Sequence, residues 1–143
     1  MKTKKVLISL TSTALLYVLL VSFAYPTNGR YETEQQKKWV APASADKMVN
    51  PIKGDDAKAI ASGKKLYKVM CFVCHGAKGK GDGMAGAGLT PKPTNLTTEA
   101  FQSQSDGAIF WKITEGRAPM ASYKTSIPEK KRWEIINYIR TLK

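Results

Sequence analysis

The stretch Met70–Gly83, "MCFVCHGAKGKGDG", holds both cysteines of the chain and its single histidine. Cys71 and Cys74 stand three residues apart and His75 comes directly after the second, so one short segment brings two thiols and an imidazole together. The residues before it read as the end of a helix, and those after it form a loop dense in glycine. The question is which chemistry uses two thiols and an imidazole at that spacing.

The amino end sets the compartment in which those thiols are found. Lys2, Lys4 and Lys5 precede Val6–Ala24, "VLISLTSTALLYVLLVSFA", which carries no side chain charged at neutral pH and ends in the small-x-small pattern Ser22-Phe23-Ala24. Ser9, Thr11, Ser12 and Thr13 dilute its first half, although the whole run approaches a minimal membrane span. Residues 1–24 are read as a signal peptide that is cleaved or, alternatively, kept as a membrane anchor. In both cases the lysines hold the amino end inside, and the rest of the chain is exported to the periplasm or the outer face of the cytoplasmic membrane. Two thiols in an oxidising compartment pair with each other or are captured by something else.

Residues 25–54 are polar, carry Pro26, Pro42 and Pro51, and show no sustained period. They are read as a tether and extended arm, with Trp39 and Met48 expected to pack on the domain after them. That domain is expected over 55–143. Asp55-Asp56 can cap a helix running to Met70, with Ile60, Gly63, Tyr67 and Met70 along one stripe. Gly63 costs about 1 kcal/mol relative to alanine within a helix, and close approach of a second helix would account for it. That second helix is announced by Ser126-Ile127-Pro128-Glu129, a capping-box pattern, followed by Ile135, Tyr138, Ile139 and Leu142 at helical spacing. A shorter helix is predicted over Asp106–Thr114, with Ile109, Phe110 and Ile113 inward. Three helices and long glycine-rich connections bury too little surface for independent stability, so the domain calls for a staple such as a large apolar prosthetic group.

Three chemistries compete for the cysteines. A thioredoxin-like dithiol belongs at the start of a helix after a strand, whereas this motif ends a helix. Structural zinc takes four ligands, and two cysteines and one histidine on one tight turn cannot surround the ion. Covalent attachment of haem c uses every residue: each thiol adds across one vinyl group of the macrocycle to form a thioether, and the adjacent imidazole reaches the iron. Cys71 and Cys74 are then the anchors and His75 the proximal ligand. For the other axial position the methionines Met48, Met70, Met84 and Met120 compete. Met70 adjoins the attachment site and Met84 follows His75 too closely, whereas Met120, in "GRAPMASY", lies on a loop able to cross the opposite face. Met48, Met70 and Met84 are read as fillers of the core.

With these residues in place, the chain resembles a class I (mitochondrial-type) mono-haem cytochrome c. "GKKLYKVMCFVCHG", "LTPKP", "DGAIFWKITEGRAPMASY" and "RWEIINYIRTL" match that family in order, across roughly 55–142. The resemblance implies an all-α, small cytochrome c-like helical fold around one covalently attached haem. It implies that the first and last helices cross at right angles, with Gly63 and Tyr67 against Ile135 and Tyr138. It also implies a carbonyl near Pro91 or Pro93 hydrogen-bonded to the second ring nitrogen of His75. The family commonly carries Met-Pro at the distal ligand, whereas here Pro119 precedes Met120 and Ala121 follows.

The function expected is transfer of single electrons between respiratory redox partners, not enzymatic turnover: a quinol-oxidising complex or dehydrogenase on one side, a terminal oxidase or reductase on the other. The alternative is a haem-based enzyme or gas sensor with an open distal site. Export argues against a nucleic-acid partner despite the formal charge of +12. Lys64, Lys65, Lys68, Lys78, Lys80, Lys112 and Lys124 are expected to steer the domain to an acidic docking surface, with a membrane tether as a further possibility.

Overall fold

The computed structural model describes residues 38–143; the apolar run at 6–24 and the arm before Lys38 lie outside the described residues. Among the described residues five α-helices succeed one another: α1 (Ala57–Met70), α2 (Phe72–His75), α3 (Glu99–Gln102), α4 (Asp106–Glu115) and α5 (Glu129–Ile139). Single turns of 3₁₀ helix occupy Ala45–Lys47 and Met84–Gly86. The architecture is all-α, as expected. Among the described residues no helix is long and apolar enough to cross a membrane.

α1 starts where the aspartates predict. The Asp56 carboxylate accepts from the N–H groups of Lys58 and Ala59, satisfying two donors that the helix itself leaves unpaired. α4 is capped in the same way by the Ser105 hydroxyl, which accepts from Ala108 N–H. The capping box predicted for α5 does not form. Pro128 is the N-cap, without a side-chain hydrogen bond, and its carbonyl accepts from the N–H groups of Lys131 and Arg132. Burial of Ile127 to 3% exposure fixes the path of the chain one position ahead of that proline, which leaves Ser126 outside the first turn.

α1 and α5 pack against each other, and Gly63 is the point of closest approach. A Cβ at residue 63 would stand 1.9 Å from the backbone oxygen of Glu134, so no residue larger than glycine fits without parting the helices. Beside it the rings of Tyr67 and Tyr138 meet edge to face, with centroids 5.2 Å apart. Gly63 against the backbone of Glu134 and Ile135, and Tyr67 against Tyr138, are the contacts that the family resemblance implies. Ser62, Glu134 and Lys131 close the edge of the crossing: both the Ser62 hydroxyl and the Lys131 ammonium donate to Glu134 Oε2. α4 covers the core from the other side, with Phe110 stacked on Trp133 at 3.9 Å between centroids. Ile109, Phe110 and Ile113 are all buried.

The arm from Lys38 to Lys53 lies against this body. Trp39 meets Trp111 edge to face at 6.2 Å. Ala45 is buried beside Gly107 of α4. Asn50 donates to both Asp106 and Asn137, and Asn137 in turn donates to the Lys53 carbonyl. Arg140 completes the network by donating to Asp106 and to the carbonyls of Gln102 and Gln104.

Candidate haem-attachment site

The continuous helical path breaks at Cys71. Its N–H still closes α1 onto the Tyr67 carbonyl, while Cys74 N–H and His75 N–H both turn to the Cys71 carbonyl and open the single turn of α2. The two cysteines therefore lie at the start and near the end of one short turn, with His75 as its last residue. Both are free thiols and both are partly exposed. Burial, with a further contribution from neighbouring Cys74, pushes the Cys71 thiol up to about 12, so at neutral pH it is held in its protonated form.

His75 is oriented from the loop that leads on from α2. Its Nδ1 lies 3.1 Å from the Thr94 carbonyl. A carbonyl can only accept, so Nδ1 carries the hydrogen and Nε2 keeps the lone pair that binds a metal. Burial lowers the imidazole's pKa and outweighs the opposite pull of the Thr94 carbonyl, which favours the neutral, ligating form. The expected carbonyl is thus found one residue beyond Pro93. Its loop is held in place at Gly81, which adopts φ +77° and whose Cβ, if it had one, would stand 2.3 Å from the Pro93 oxygen. Tyr67 adds a second brace, its hydroxyl donating to the Gly76 carbonyl at 2.9 Å.

Met120 belongs to the loop between α4 and α5. The loop leaves α4 through Gly116 at φ +67°, pairs Met120 N–H with the Arg117 carbonyl at 2.8 Å, and returns at Tyr123, whose N–H donates to Ile113. Ser122 closes the base by donating to the Thr114 carbonyl at 2.7 Å. Met120 is partly buried against the same apolar cluster that Cys71 and Met70 border. The two segments are joined directly by Tyr123, whose hydroxyl donates to the Met70 carbonyl at 3.0 Å.

The other methionines divide. Met70 packs against the core as expected. Met84 does not fill the core: it is 91% exposed, because the turn at 84–86 packs on α2 through its backbone and glycines and turns the side chain outward. Met48 lies at the edge of the body, 37% exposed, with its carbonyl and Cβ against Gly107. Around the cysteines Val69, Phe72 and Val73 present apolar surface to solvent. Sequence reasoning placed the carbonyl in the region of Pro91 or Pro93 without reaching Thr94, and it missed Gly81 and Tyr123. The glycine density of the loop was a signal for Gly81, whereas nothing local marks Tyr123.

The donor set fits haem c: two thiols on one turn, an imidazole with Nε2 available, and apolar side chains beside them. A model describing the family "Cytochrome C oxidase, cbb3-type, subunit III" matches residues 58–139. The chain belongs to the cytochrome c family. Among curated relatives, cytochrome c-554(547) of Halothiobacillus neapolitanus is 38% identical over 88 residues, covering 58% of this cytochrome and 96% of the relative. Among solved structures, a chain of the Kuenenia stuttgartiensis reducing HAO-like protein complex superposes with a TM-score of 0.57 and 28% identity. That match covers 64% of this cytochrome and 46% of the other chain, so this cytochrome spans just under half its length. The family match and the curated relative place the chain among c-type cytochromes at large, and neither singles out the mitochondrial-type class.

Proposed function

We propose that this c-type cytochrome is an exported, class I-like carrier of single electrons, with one haem c bound through Cys71 and Cys74 and its iron ligated by His75 and Met120. The observation that carries the reading is the bond from His75 Nδ1 to the Thr94 carbonyl, which fixes the tautomer and aims Nε2 away from the loop. When bound, the haem would supply a ferric–ferrous couple, and ligation by a methionine together with a histidine would raise its potential. The protein's own share is mechanical. Cys71 and Cys74 fix the macrocycle to α2, Thr94 and Tyr67 hold the imidazole side still, and the 116–123 loop presents Met120. With His75 and Met120 both holding the iron, little substrate chemistry would be left to it, which would favour a carrier over an enzyme or gas sensor with an open distal site.

Lys64, Lys65, Lys68, Lys78 and Lys80 are exposed on the segments flanking the cysteines, a distribution that supports steering towards an acidic partner. Lys112 does not belong with them. It donates to Gln104 and lies 5.8 Å from the Trp39 ring, and burial, together with nearby Lys38 and Arg117, lowers its pKa. Docking through the exposed lysines weakens as salt rises. The partners expected are a quinol-oxidising complex or dehydrogenase and a terminal oxidase or reductase.

A second reading is a subunit fixed in a larger respiratory assembly. It draws support from the matched family, which is described as an oxidase subunit, and from the structural relative, which is a chain of a protein complex. Washing native membranes with high salt separates the two: clean release marks a free carrier, and retention marks an anchor or an assembly. The ligand set is tested by the visible spectrum. The weak red absorption of a ferric methionine-ligated haem is expected, and rapid tight binding of carbon monoxide by the ferrous protein would overturn it.

A further inference from the structure

At the junction of α1 and α2 the Met70 carbonyl loses its helical partner. Cys74 N–H, four residues on, turns to the Cys71 carbonyl instead, and the Tyr123 hydroxyl takes the acceptor so released, at 3.0 Å. Tyr123 is fixed at both ends, since its own N–H donates to Ile113 of α4 at 3.1 Å. It is partly buried against the core, as are Met120, Met70 and Cys71. Two further bonds of the loop, Ser122 to Thr114 and Tyr123 N–H to Ile113, tie it to α4. The Tyr123 hydroxyl is different, because it ties the loop to the residue immediately before the first cysteine.

We infer that Tyr123 is a positioning residue that couples the Met120 loop to the attachment turn and so sets how readily the methionine gives up the iron. The inference rests on the proposed Met120 ligation. Removing the hydroxyl leaves the ring in place but frees the loop from the α1–α2 junction at Met70, and an added ligand then competes better with Met120.

The test is an imidazole titration of the ferric holoprotein, following the red methionine band, in the parent, Tyr123→Phe and Ser122→Ala. Tyr123→Phe is expected to bind imidazole about five- to tenfold more tightly, the effect of one net hydrogen bond and of a carbonyl left without a donor. Its haem should remain covalent by intact mass. Ser122→Ala, which loosens the base of the loop on the α4 side, is expected to change the affinity less than about twofold. An unchanged affinity in Tyr123→Phe overturns the coupling while leaving Met120 ligation standing. Equal shifts in both variants also overturn it, since they would report general loosening of the loop. A Tyr123→Phe chain that no longer folds does the same, because the hydroxyl would then be structural. A parent protein without the red band overturns the ligation and the coupling together.

Discussion

Cys71, Cys74 and His75 occupy one stretch of five residues, and the carbonyl that orients His75 comes from 19 residues away. The tyrosine that holds the Met120 loop to the same turn bridges 53 residues. One side of the site is assembled by short-range geometry, the other by contacts that exist only once α1, α4 and α5 have packed. The local side depends on backbone bonds within one turn and a glycine-held loop. The distant side depends on the whole helical frame, so the two should respond differently to damage.

The largest effect is expected at the frame that both sides share. Gly63→Val places a branched side chain where even a Cβ would meet the Glu134 oxygen at 1.9 Å, and a loss of about 3–5 kcal/mol is expected. Chemical denaturation of the holoprotein reads it, with the methionine band lost at lower denaturant than the haem–histidine spectrum. A denaturation midpoint equal to the parent's would mean that the crossing does not hold the distant side.

Gly81→Ala attacks the local side alone. The positive φ and the 2.3 Å approach to the Pro93 oxygen make a cost of about 2 kcal/mol the expectation. Thr94 should shift on its bond to His75, and the reduction potential should move while the methionine band persists. Loss of that band with an unmoved potential would invert the assignment of the two sides.

Met120→Ala addresses the distant side. Stability should fall by about 1–2 kcal/mol for a partly buried thioether. The red band should vanish, the covalent haem should remain and the potential should fall. A spectrum identical to the parent's would remove Met120 from the iron.

The smallest effect lies at the rim of the crossing. Burial alone would raise the Glu134 carboxyl, but hydrogen bonds from Lys131 and Ser62 outweigh it and hold the group below its ordinary 4.5. The stabilisation is therefore complete above that value and disappears as the pH falls through the lower folded one. Glu134→Gln should be less stable by about 1 kcal/mol at neutral pH, and its deficit should shrink on acidification. A deficit independent of pH would show that the carboxylate's charge contributes nothing.

Much of this contrast between near and distant sides is legible in the residues alone. The spacing of Cys71, Cys74 and His75 carries its chemistry in the motif, and Gly63 within an otherwise good helix announces the close crossing. The details that stay hidden share a cause. Which carbonyl near Pro91 or Pro93 reaches His75, and the pairing of Tyr123 with Met70, depend on where loops return in space, and neither Thr94 nor Tyr123 is unusual for its surroundings. The Ser126 capping box fails for a related reason, since burial of Ile127 overrides a local preference. Met84 is misplaced because an apolar side chain on a glycine-rich turn has no periodic neighbour to show which way it points.

Intact-mass measurement under denaturing conditions, on protein from a host with working cytochrome-maturation machinery, tests the central claim most directly. The mass should exceed that of the polypeptide by one haem, and the excess should be absent when Cys71 and Cys74 are both replaced by serine. A parent protein that is colourless, has the mass of the bare polypeptide and carries two titratable thiols would contradict it.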